Sequence, residues 1–119
     1  MTINHINLVV TDVESVTKFF ETYFGFSRTL IKGNNIIAVL ENIEGFSLVL
    51  SSDKNGEIAY PKDFHIGFMQ DTPGQVQELY DQLKSGGIEL GRPPGKIRNS
   101  YAFYFYFDQV FIEVGCIDH

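Results

Sequence analysis

His5-Ile6-Asn7-Leu8, close to the start of the chain, is echoed sixty positions later by His65-Ile66-Gly67-Phe68. At the same offset Val16 meets Val76, Phe19 meets Leu79, Phe20 meets Tyr80 and Glu21 meets Asp81. Such a repeat sets the architecture before any local reading is made, because each copy is one supersecondary unit. Both copies carry a helix start signal after the matched tetrapeptide. In the first it is Thr11 with Glu14; in the second it is Thr72 with Gln75, and Pro73 occupies the first turn, where its missing N–H costs nothing. Apolar residues then recur at helical spacing, through Val13, Val16, Phe19, Phe20, Tyr23 and Phe24 in one copy and Val76, Leu79, Tyr80 and Leu83 in the other. Gly25 and the pair Gly86-Gly87 supply the left-handed residue that ends each helix.

Three short extended stretches follow each helix. In the first copy they run over 27–31, 36–40 and 46–51, with Gly33-Asn34-Asn35 and Glu44-Gly45 as breaks. In the second, a weak strand over 88–90 leads through a loop, 91–99, into strands over 101–107 and 110–116 joined by Asp108-Gln109. Each copy reduces to βαβββ, and 53–63 is the connector. The expectation is one α+β domain of two modules, about 1–56 and 60–119, forming a cupped mixed sheet with its helices outside.

Composition agrees with a single core: 119 residues, 44% apolar, bury one interior and not two. The net charge of −6 and the lack of a Lys/Arg cluster on any expected element argue against nucleic acid as a partner. The lone Cys116 rules out an internal disulfide and a Cys-rich zinc site, and reads as packing. No apolar run nears the roughly 20 residues of a membrane span, and the first residues already read as a strand, so no signal peptide is expected. These features predict a cytoplasmic protein. Gly-rich phosphate loops, nucleotide fingerprints and a Ser-His-Asp order are not found.

Strand parity assigns the faces. Ile6, Leu8 and Val10 cover the first helix, leaving His5, Asn7 and Val9 on the opposite side; Phe64, Ile66 and Phe68 do the same in the second copy, leaving His65, Gly67 and Met69. A two-residue turn at Asp108-Gln109 sets Phe107 opposite Val110 and Tyr104 opposite Glu113, so that Ala102, Tyr104, Tyr106, Phe111 and Glu113 share the face away from the helix. A carboxylate inside Val110-Phe111-Ile112-Glu113-Val114 must find a cation, a donor or water. Its counterpart in the first copy is Val49. Four related positions therefore hold His5, Val49, His65 and Glu113, and three of these are good ligands for a divalent ion such as Fe, Mn, Zn or Ni.

Plainer readings stand beside this one. A histidine at a strand end is commonly just hydrogen-bonded, and a half-buried glutamate commonly pairs with a Lys or Arg. Yet two of the three histidines in the chain fall on symmetry-related positions. The third, His119, is terminal and is given no role. Arg28, Lys96 and Arg98 are candidates to meet an anionic substrate, or are solvated surface. Tyr104 and Tyr106 line the same face as Glu113 and are candidates for proton transfer, or are core aromatics with a polar tip. Asn7 and Phe111 face the same way as the candidate ligands and are expected to touch substrate. The loop around Gly91, Pro93, Pro94 and Gly95 is either a lid or a rigid turn.

Paired βαβββ units opening with His-Ile-x-[Leu/Phe], a helix ending near Tyr23-Phe24-Gly25-Phe26 and a closing Phe111-Ile112-Glu113-Val114 resemble the glyoxalase/bleomycin resistance/dioxygenase family of the vicinal oxygen chelate superfamily. The resemblance implies His5, His65 and Glu113 as metal ligands, a cavity completed within one chain or across a homodimer, and lyase, dioxygenase or fosfomycin-type transferase chemistry on neighbouring oxygens of a small substrate. Glyoxalase I enzymes carry a fourth ligand, a glutamate, where this chain has Val49, which neither binds metal nor acts as a base. The resemblance also implies an alternative: a metal-free, bleomycin-resistance-like dimer that sequesters an aromatic or drug-like ligand.

Overall fold

The computed structural model describes residues 1–53 and 55–117; His119 lies outside them. The chain divides into two compact units, Met1–Ala59 and Tyr60–His119. In the first, β1 (His5–Val10) leads into α1 (Val13–Tyr23), then β2 (Ser27–Lys32), β3 (Ile37–Glu41) and β4 (Ser47–Ser52). In the second, β5 (Ile66–Met69) leads into α2 (Pro73–Ser85), then β6 (Gly95–Ile97), β7 (Ser100–Phe107) and β8 (Val110–Ile117). Each unit is a four-stranded mixed sheet, ordered β1-β4-β3-β2 and β5-β8-β7-β6, with its first and last strands parallel and the rest antiparallel. The expected βαβββ pattern is therefore present twice, with each helix packed on its own sheet.

The matched positions are buried alike. Val16 and Val76, Phe19 and Leu79, and Phe20 and Tyr80 are all at most 7% exposed. Leu8, Val10, Leu40, Leu48 and Leu50 are buried with them in the first unit and Phe103, Phe105, Val110, Ile112 and Val114 in the second, as strand parity predicts; Phe64 departs from it, lying before β5, 38% exposed and stacked on Tyr60 at 5.2 Å. No helix among the described residues is long and apolar enough to cross a membrane.

The helix ends show where local chemistry competes. Asp12, and not Thr11, caps α1: its side chain accepts from the Ser15 N–H at 3.1 Å, and Asn35 from the following hairpin accepts from the Glu14 N–H at 2.8 Å. The Asp12 carboxylate at the positive end of the helix dipole outcompetes the neutral hydroxyl one residue earlier. At α2 the Thr72–Gln75 capping box forms with Pro73 in the first turn. Thr72→Ala is expected to destabilise the protein by about 1 kcal/mol, read as a lowered urea midpoint with unchanged slope.

One strand differs from expectation. Ile88–Leu90 is not a strand; the strand at the sheet edge is Gly95–Ile97, inside the stretch read as loop. After α2, Gly87 takes φ +83°, its N–H bonds the Lys84 carbonyl, and the Ile88 N–H bonds the Leu83 carbonyl. This pair of bonds is a Schellman motif, which recruits Ile88 into helix termination and leaves it no ladder to join. The β7–β8 turn agrees with the sequence: Asp108 and Gln109 have φ +46° and +66°, both left-handed, as a two-residue type I′ hairpin requires.

Candidate functional site

Glu113 sits in β8 with Gly67 of β5 beside it on one flank and Tyr104 of β7 on the other. All three lie on the face away from α2. The carboxylate is 16% exposed: the Tyr104 hydroxyl donates to Oε2 at 2.7 Å, and His65 Nε2 lies 3.5 Å from Oε1. Gly67 leaves it room, since a Cβ at that position would stand 3.2 Å from Oε1. A larger side chain there would press on the carboxylate.

His65 is oriented from behind. Its Nδ1 is 2.8 Å from the Asp63 carbonyl oxygen, and Asp63 adopts φ +68°. A carbonyl oxygen only accepts, so Nδ1 carries a proton, and Nε2 is left facing the Glu113 carboxylate. Two electron-rich atoms facing each other call for a cation, either a proton on Nε2 or a metal ion. A backbone carbonyl that fixes the tautomer of an imidazole is also the usual support for a metal-binding histidine. His5, the first residue of β1, has the same preparation, its Nδ1 lying 2.8 Å from Asn4 Oδ1.

Rings surround the pair. His65 meets Tyr104 and Phe111 edge-on at 5.9 and 6.0 Å, and Phe111 stacks between Tyr104 at 5.4 Å and Tyr106 at 4.5 Å. Tyr106 is at the outer end of this ladder and 62% exposed. A concavity of about 690 Å³ opens beside it, lined by His65, Tyr104 and Phe111 together with Arg92, Lys96 and Arg98. That volume suits a small organic ligand. The hydrogen bond to Glu113, then burial and the charge of Glu113, push the Tyr104 phenol up to about 12, with Arg98 pulling the other way. Tyr104 is therefore a donor at neutral pH. Because its folded value lies above the ordinary 10.0, its contribution to stability is complete below pH about 10 and is lost as pH rises through about 12. In an ultraviolet titration, one tyrosine is expected to ionise near pH 12, and that late step should be missing from Tyr104→Phe.

In the first unit, Asn7 and Val49 face each other across β1 and β4, in the register that Gly67 and Glu113 occupy in the second. Asn7 Oδ1 accepts from the Ser51 hydroxyl at 3.3 Å. Arg28 is committed elsewhere: its guanidinium bonds Glu21 at 2.7 Å and Glu14 at 3.2 Å, tying β2 to α1. The hydrogen bond from Arg28 holds Glu21 below the usual carboxylate range, and the two carboxylates raise Arg28 in turn. The structure thus gathers His65, Tyr104, Phe111 and Glu113 around one point, with Lys96 and Arg98 on the wall of the adjoining concavity, while Arg28 serves α1. Among the described residues, no three His, Cys, Asp or Glu side chains form a group able to hold a metal; in the second unit two, His65 and Glu113, lie side by side. Two residues escaped the sequence reading: Asp63, which acts through its backbone, and Arg92, in a loop without periodicity.

The family model of the Glyoxalase/Bleomycin resistance protein/Dioxygenase superfamily matches residues 2–111. The chain belongs to this superfamily. A solved structure described as a possible glyoxalase from Bacillus cereus is 39% identical, with a TM-score of 0.86, the match covering 98% of this chain and 99% of that one. Two further members share the fold. A genomically encoded fosfomycin resistance protein, FosX, from Listeria monocytogenes is 21% identical (TM-score 0.79, 98% and 93% covered). A glyoxalase/bleomycin resistance protein/dioxygenase from Nocardioides is also 21% identical (TM-score 0.77, 100% and 85% covered). No curated protein matches the chain significantly. Within this superfamily of paired βαβββ units, the position of Glu113 next to His65 gives the chain a polar centre in its second unit and an apolar Val49 at the related place in its first.

Proposed function

We propose that the chain is a divalent-metal-dependent enzyme acting on a small substrate with neighbouring oxygens, with His5, His65 and Glu113 as the metal ligands. The observation that carries this reading is the His65–Glu113 pair: Nδ1 is committed to the Asp63 carbonyl and Nε2 faces Oε1 at 3.5 Å, an arrangement a cation completes. His5, with its Nδ1 likewise committed to Asn4, is the third donor. A bound Fe, Mn, Zn or Ni ion would supply Lewis acidity, polarising two adjacent oxygens. The rest falls to side chains of the chain. Tyr104 holds Glu113 in place and keeps its own proton at neutral pH; Tyr106 and Phe111 offer aromatic faces; Asn7, Lys96 and Arg98 are the polar contacts for substrate. Arg28, already paired, is a weaker candidate for that role. Val49 argues against glyoxalase I activity and leaves dioxygenase, lyase or fosfomycin-type transferase chemistry. A cytoplasmic homodimer is the accompanying expectation.

The aromatic wall of Tyr104, Phe111 and the exposed Tyr106 favours a second reading, a metal-free protein that sequesters an aromatic ligand. Untagged protein titrated with Fe(II), Mn(II), Zn(II) and Ni(II) separates the two. Specific binding of about one ion per chain that His5→Ala abolishes supports the enzyme; no specific binding of any of the four overturns it. Mixing His5→Ala with Glu113→Ala chains adds the arrangement: recovery of binding means that the ligands come from two copies.

A further inference from the structure

The concavity in the second unit holds the densest positive charge in an acidic chain. Arg92, Lys96 and Arg98 all line it, against a single carboxylate, Asp63. They are three of the nine Lys and Arg residues in a chain of net charge −6, and no Asp or Glu occurs between Glu89 and Asp108. Among the described residues, neither Arg92 nor Arg98 is engaged by a carboxylate. The cations sit on a defined frame. β6 pairs with β7 so that Lys96 opposes Tyr101, Arg98 takes φ +53° in the turn, and the Ser100 hydroxyl donates to the Ile97 carbonyl at 3.0 Å. The facing wall is apolar and flat, built from Ala102, Phe103, Tyr104 and Phe111.

Like charges grouped on one rim repel each other, and a bound anion relieves that repulsion while gaining charge-assisted hydrogen bonds. An acidic ligand is therefore turned with its charge toward the rim cations and its body toward the rings. We propose that this concavity takes a small organic oxyanion with a flat apolar body, its acidic group held by Arg92, Lys96 and Arg98 and its body lying on Tyr104 and Phe111. The inference rests on the enzyme reading for where the reacting atoms lie, beside His65 and Glu113; the anion contact itself stands on the cations.

The test compares benzoate and phenylphosphonate with benzamide, by calorimetry and by chemical-shift titration, on metal-free protein in chelator and again with Mn(II). At low salt, at least one of the two acids should bind about tenfold or more tightly than the amide, because its bonds to the rim are charge-assisted. The preference should shrink as ionic strength rises. Lys96→Gln/Arg98→Gln should reduce acid binding to the level of the amide, while Lys84→Gln on α2 should leave the ratio unchanged. Benzamide binding as well as both acids, no binding of any probe, or a ratio that survives the double variant would overturn the proposal. An acid preference in a protein that binds none of the ions would sink the metal reading and leave this one standing; metal binding without the preference would do the reverse.

Discussion

Glu113→Ala is expected to lower affinity for a divalent ion by at least ~100-fold while leaving the fold in place, because it deletes a proposed ligand where even the loss of a supporting hydrogen bond costs about 10–100-fold. Glu113 brings the negative charge to a set whose other members are neutral imidazoles. Removing it ends the opposition between Oε1 and His65 Nε2 that calls for a cation. Stability should move little. Tyr104 loses a hydrogen bond worth about 1 kcal/mol, but the half-sheltered carboxylate disappears with it and solvent reaches the gap. Glu113→Gln sharpens the reading: an amide oxygen still accepts from Tyr104, so packing and hydrogen bonding survive and charge alone is lost. Calorimetric titration with the four ions, paired with thermal denaturation, checks both halves. Wild-type affinity in either variant would remove Glu113 from the ligand set.

Phe20→Ala is expected to cost about 3–5 kcal/mol, a large share of the roughly 5–15 kcal/mol that holds a domain of this size together. Phe20 is 1% exposed, and its ring meets Phe19 at 5.2 Å, Phe24 at 5.5 Å and Phe26 at 5.8 Å, so truncation removes ring contacts on several sides at once. These neighbours lie on α1 and the turn after it, where the backbone cannot close around the void. Urea denaturation should show a lowered midpoint at constant slope. A loss under about 1 kcal/mol would mean that the aromatic cluster repacks to fill the space.

Much of this was legible in the sequence, for reasons that name particular residues. The sixty-residue echo of His5-Ile6 by His65-Ile66 exposed the duplicated βαβββ units, because packing on a helix forces the same apolar positions to recur. Alternation placed Glu113 opposite Tyr104, since parity in a strand has only two values. Asp108-Gln109 turned as expected because a two-residue loop admits few backbone shapes. What the sequence did not disclose depended on competition or on backbone. Ile88 looks like a strand residue until the Schellman bonds of Gly87 and Ile88 claim it for the end of α2. Thr11 and Asp12 are both good caps, and the charge decided between them. The support of His65 comes from a carbonyl, which every residue has and no side-chain motif announces. The gathering of Arg92 with Lys96 and Arg98 needed β6 to pair with β7, a strand three residues long with no periodic signal.

The tight turn between β7 and β8 also limits how this hairpin can change length. With both Asp108 and Gln109 left-handed, the loop is as short as it can be, and it fixes which face every later residue of β8 occupies. A single inserted residue that shifted the pairing would carry Glu113 to the helix side and bring Ile112 out to the rings, exchanging a polar centre for an apolar one in a single step. Insertions of two residues would preserve it. A one-residue insertion here that slipped the pairing, and was not absorbed as a bulge, would act on the chemistry of the molecule without altering any residue beside Glu113.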